Sequence, residues 1–135
     1  MDDEAVRELA KAYWSEPGGG DAWGEVTSDH AHGNTPELPR ILAALVASAP
    51  SEQSWSTIGT GPVESLHYGG ATGAEIATVL RATGLPANTL TGILKGMWPD
   101  LLEELGMRVH LRGLLSTAQI DWLLDASAPG RSGSL

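Results

Sequence analysis

The sequence predicts an all-α fold, a single compact domain of about eight short helices. Three observations point there. Apolar residues recur at three- and four-residue spacing in most segments, Gly- and Pro-rich corners separate those segments, and only Arg108–Leu111 alternates like a strand. Apolar helix pairs return at intervals of roughly 25–35 residues without matching a repeat consensus, which allows an irregular stack of helical hairpins.

Asp2 to Glu16 reads as the first helix, with Val6, Leu9, Ala10, Tyr13 and Trp14 on one side and acids in the first turn. Pro17-Gly18-Gly19-Gly20 stops it, and Asp21 can cap a shorter helix carrying Trp23 and Val26. The apolar pattern fades through Thr27–Asn34, which reads as a loop or frayed end. Thr35 and Pro36 then open a strong helix whose stripe is Leu38, Ile41, Leu42, Leu45 and Val46, ended by Pro50. Ser51 can cap a short helix bearing Trp55 and Ile58.

A corner is expected at Gly59-Thr60-Gly61-Pro62. Gly59 would supply a left-handed residue, Gly61 the N-cap and Pro62 the first helical position, with Glu64 reaching back to free N–H groups. That helix runs to Tyr68 and closes at Gly69-Gly70. Gly73–Thr83 and Ala87–Trp98 flank a break at Gly84-Leu85-Pro86, and Pro99 leads a helix over Asp100–Leu105. Met107–Leu115 fits a strand or a helix. Thr117 caps the last helix, and Ala128–Leu135 is a Pro/Gly/Ser stretch expected to be disordered. The domain is therefore placed at residues 1–127 and the tail at 128–135.

The 135 residues suit one domain, and an apolar content of 41% is enough for a globular core. With no cysteine, disulfides, thiolate metal sites and a cysteine nucleophile are excluded. The acidic start is wrong for a secretory or organellar signal, and no apolar run approaches the roughly 18 residues of a membrane span. A cytoplasmic protein is expected. Abundant Ala, Gly and Trp without any Phe point to GC-rich coding and a bacterial source.

Of the net charge of −9, residues 1–37 carry −7, from nine acids and two bases. An acidic end repels nucleic acid and anionic membrane and steers a basic partner. Within it, Asp21, Trp23, Glu25 and Asp29 form the expected partner-binding set. Trp23 either anchors that contact, as aromatic residues often do, or packs on the first helix.

Chemistry-bearing motifs are incomplete. Glu64-Ser65-Leu66-His67 has the spacing of a di-metal carboxylate site but occurs once, where two copies and further glutamates are needed. Asp29-His30-Ala31-His32 sets its histidines two residues apart, off a common helix face. No Gly-x-Ser-x-Gly elbow and no Walker phosphate loop is present. No catalytic residue, metal or cofactor is assigned, and the chain is read as non-enzymatic. The alternative reading is a helix-turn-helix DNA-binding regulator over residues 74–97, with Asn88, Thr89 and Thr91 toward bases and Arg81 and Lys95 toward phosphates.

From Pro36 to Trp98 the chain resembles an uncharacterised bacterial all-helical domain family. The shared features are Pro36-Glu37, the Ile41–Val46 helix ending Ala49-Pro50, the Gly59-Thr-Gly-Pro-Val-Glu-Ser-Leu66 helix start, and Leu94 with Trp98. The chain departs from that pattern at Leu38-Pro39-Arg40, where an aromatic residue would be expected. The resemblance implies a compact helical fold and brings no catalytic residue or ligand. Together these observations favour an acidic protein-binding module, most concretely an immunity or inhibitor protein that covers a basic toxin or effector.

Overall fold

Helix α1 (Asp3–Ser15) begins where Asp2 accepts the Ala5 N–H at 2.8 Å, and its Val6, Leu9, Ala10 and Tyr13 are buried. They pack on α3 (Leu38–Ser48), to which α1 is further tied by the Trp14 indole donating to the Leu45 carbonyl at 2.9 Å. The computed structural model describes residues 1–16 and 20–131. The expected stop at Pro17-Gly18-Gly19 lies outside the described residues.

The next helix departs from expectation. α2 (Asp21–Gly24) does not fade after Val26 but continues as a π-helical turn, Glu25–Ala31, with Val26, Thr27 and Ala31 buried. The His32 N–H closes it on the Thr27 carbonyl, five residues back, at 2.9 Å. Asp21 is its first helical residue, and Gly20 takes the cap position. Thr35 likewise caps nothing. Its hydroxyl lies 2.7 Å from His30 Nδ1, and α3 starts at Leu38 with Pro39 in the first turn.

The expected corner at Gly59–Pro62 is absent. A 3₁₀ turn (Glu52–Ser54), α4 (Trp55–Ile58), a π-helical turn (Gly59–Val63) and α5 (Glu64–Tyr68) follow without a break. Pro62 has no N–H to give, and the Glu64 N–H reaches past it to the Gly59 carbonyl. A proline that would break an α-helix is thus accommodated by a wider turn. Gly59 has φ −63°, so it is no left-handed cap. It is needed for close approach, because a Cβ there would meet the Ile93 carbonyl of α7 (Ala87–Leu94). Gly96 answers it by lying against the Ser56 carbonyl. The two π-helical turns pack on each other.

α6 (Gly73–Ala82) starts with a reciprocal capping box between Thr72 and Glu75. Gly84, at φ 70°, turns the chain into α7. α8 (Pro99–Glu104) ends at left-handed Gly106, and Met107–Leu115 resolves into a single helical turn, α9 (Met107–His110), and a bend closed by an isolated Arg112–Leu115 bridge. α10 (Thr117–Leu124) is capped one residue earlier than expected, by Ser116 with Gln119.

Among the described residues there are nine continuous helices and no strand, so the fold is all-α. The main packing pairs skip along the chain: α1 with α3, α4 with α7, α6 with α9, α8 with α10. One buried apolar cluster from Val6 to Leu123 joins them.

Within the stretch expected to be a disordered tail, the structure describes Ala128–Arg131. Arg131 is 4% exposed and donates to the carbonyls of Leu123, Lys95 and Met97 at 2.8, 2.6 and 2.6 Å. A Pro/Gly/Ser context hides such a residue from composition, since the fastening is tertiary. Residues 132–135 lie outside the described residues.

Candidate protein-binding face

The helix formed by α2 and its π-helical extension turns Ala22, Val26, Thr27 and Ala31 inward. Thr27 satisfies its hydroxyl by donating to the Trp23 carbonyl at 2.8 Å. The remaining side chains set the character of the outer face. Asp21, Trp23 and Asp29 are exposed, and Glu25 is half-buried.

Trp23 follows neither of the two expectations in full. It is 39% exposed, and its indole nitrogen and the Tyr13 hydroxyl of α1 both lie against Gly61. Gly61 of the facing π-helical turn keeps space beside that pair, since a Cβ there would come within 3.3 Å of the Tyr13 oxygen. Burial pushes the Tyr13 hydroxyl up to about 12, while the indole donor pulls the other way. The indole is thus partly packed and partly open to solvent, as an aromatic residue that is apolar at one end and polar at the other can be.

Asp2, Asp3 and Glu37 are engaged within the chain. Asp2 caps α1. Asp3 and Glu37 grip Arg40 at 2.6 and 2.7 Å, and the amino group of Met1 lies 3.8 Å from Glu37. Glu25 stands 3.8 Å from His30 Nε2, a pairing that the π-helical turn permits by bringing residues five apart onto one side. Among the described residues, Asp21 and Asp29 form no ion pair, and neither do Glu4, Glu8 and Glu16 of the same third. The structure therefore places Asp21, Trp23, Glu25 and Asp29 on one helix, with Asp21 and Asp29 exposed.

No family model matches the chain, and neither a curated protein nor a solved structure matches it.

The segment considered for DNA is differently disposed. α6 and α7 pack on different partners, α6 on α9 and α3, α7 on α4 and α10. Of the three residues suggested for base contact, Thr89 is buried, and Thr91 donates to the Ala87 carbonyl at 2.8 Å. Asn88 is exposed, with its side-chain oxygen accepting from Gln119 at 2.9 Å.

Glu64 and His67 are both half-buried on α5, and burial raises the Glu64 carboxyl, partly offset by His67. Among the described residues no group of three His, Cys, Asp or Glu side chains is placed to hold a metal ion. Sequence reasoning missed Tyr13 as the neighbour of Trp23 at Gly61 and His30 as the partner of Thr35. The first pair is distant in sequence and leaves no local trace. The second is an i,i+5 pair that helical spacing rules do not seek.

A shallow groove of about 420 Å³ runs between the Asn34–Pro39 segment and α6, walled mainly by Pro36, Pro39, Ala74 and Val79. Asn34 at its rim has φ 48°, a conformation that Asn tolerates better than most residues.

Proposed function

We propose that this chain is a non-enzymatic protein-binding module that engages a basic protein through Asp21, Trp23, Glu25 and Asp29. In its most concrete form it is an immunity or inhibitor protein that neutralises a basic toxin or effector in the bacterial cytoplasm. The observation that carries this reading is the partly exposed Trp23 indole on the same helix as Asp21 and Asp29, two exposed carboxylates that form no ion pair among the described residues. Aromatic anchors often dominate binding energy, and exposed acids raise the encounter rate with a cationic surface. A net charge of −9 concentrated in the first third works in the same direction. Membership of the uncharacterised helical family over residues 36–98 is part of this proposal and would add only the fold.

The test is capture from the native host on the immobilised chain, with mass spectrometry of the eluate. A stoichiometric basic protein should be retained by the wild type and lost from the folded Asp21→Asn/Glu25→Gln/Asp29→Asn and Trp23→Ala variants. Equal retention by all three chains would contradict the reading. Retention that disappears on nuclease treatment would favour residues 74–97 and DNA instead.

A further inference from the structure

The turn after α7 and the last turn of α10 aim three carbonyl oxygens at one spot. They belong to Lys95, Met97 and Leu123, and among the described residues none accepts a backbone N–H. Unpartnered carbonyls at helix C-termini carry partial negative charge and attract a cation. Trp122 walls the spot on one side, its ring centroid 5.7 Å from the Arg131 guanidinium carbon.

Arg131 fills this pocket with one N–H bond to each carbonyl, and no carboxylate pairs with it among the described residues. The backbone leading to it is also recognised. The Trp122 indole donates to the Pro129 carbonyl at 3.0 Å, and Gly130, at φ 76°, turns the chain against the ring. A planar guanidinium can reach three divergent acceptors and stack on an indole at once, whereas a lysine ammonium is a point charge without that fork. The described part of the occupying strap, Ala128–Arg131, has neither helix nor large apolar side chain.

We infer that the Lys95–Met97–Leu123 carbonyl pocket beside Trp122 is an arginine-recognition site that the chain's own Pro129-Gly130-Arg131 fills in cis. A partner segment presenting arginine after a Pro-Gly turn would take the strap's place. The inference is independent of the Trp23 face.

The probe is the blocked tetrapeptide Ala-Pro-Gly-Arg amide, titrated into full-length Arg131→Ala while the Trp122 indole N–H resonance is followed. The folded variant should bind it saturably and bind the Ala-Pro-Gly-Lys peptide roughly tenfold more weakly or worse, the cost of at least one charge-assisted hydrogen bond. The wild type, its site already filled, should bind the arginine peptide roughly tenfold more weakly than the variant or not at all. A folded variant that ignores the peptide, or binds both peptides alike, would overturn the inference. So would a wild type that binds as tightly as the variant. Should Arg131→Ala fail to fold, the same titration is made on Arg131→Lys. That variant should melt below the wild type and be restabilised by the arginine peptide, and a melting point equal to the wild type's would refute the pocket's selectivity.

Discussion

Gly59 faces the Ile93 carbonyl so closely that no Cβ fits between them, which makes the crossing of the α4 segment on α7 a contact of backbone with backbone. Gly59→Ala must therefore push the two helices apart, and the expected loss is roughly 1–3 kcal/mol in denaturant unfolding. Gly61→Ala meets the end of a side chain at 3.3 Å rather than a carbonyl and should cost less. A corner built on a left-handed Gly59 would give strain from φ instead. Here φ is −63°, so the cost comes from packing alone.

Glu64 gives a prediction opposite to that of a helix cap. Burial raises its carboxyl in the folded chain, so the folded state holds the proton more tightly than the unfolded one. Such a group contributes stability below its unfolded pKa and loses that contribution as pH rises through its folded pKa. Glu64→Gln should then be neutral or stabilising at pH 7, by about 0.5 kcal/mol or less. The difference from wild type should shrink in acid. Unfolding midpoints at the two pH values decide it, and a clear loss on substitution at pH 7 would restore the capping role.

Tyr13 sets an alkaline limit. Its hydroxyl moves from 10.0 in the unfolded chain to about 12 when folded, because burial disfavours the phenolate. The stabilisation is fully present below pH 10 and is lost between roughly pH 10 and 12, up to about 2–3 kcal/mol in all. A spectrophotometric titration should show a late phenolate step that Tyr13→Phe removes. Trp23→Phe takes away the indole donor and should move that step later still.

Much of the fold was legible because amphipathic stripes announce themselves. Leu38, Ile41, Leu42 and Leu45 repeat with helical spacing, and all four are fully buried. The two π-helical turns were not legible. In the first, Thr27 and Ala31 are too small to mark an apolar face, and in the second Gly59, Gly61 and Pro62 carry the signature of a break. The same glycine serves a turn or a close approach, and only the partner strand of backbone, here α7, tells which. At the candidate face, the set Asp21, Trp23, Glu25 and Asp29 is a proposal from charge and an aromatic neighbour, to which the structure adds that the four share one helix. The shared position of Trp23 and Tyr13 against Gly61 was not legible, since nothing in the spacing of these residues encodes it.

The central claim is that the acidic Trp23 face steers a basic partner, and association kinetics test it most directly. Exposed charges act over about 8–10 Å at physiological salt and govern encounter more than dissociation. With the captured partner in hand, the association rate constant is measured across ionic strength for wild type and for Asp21→Asn/Glu25→Gln/Asp29→Asn. The rate should fall steeply with salt for the wild type. For the triple variant it should start lower and vary little, with dissociation changed far less in both. Association that ignores both salt and the triple substitution would contradict the claim and leave these carboxylates as solubilising surface.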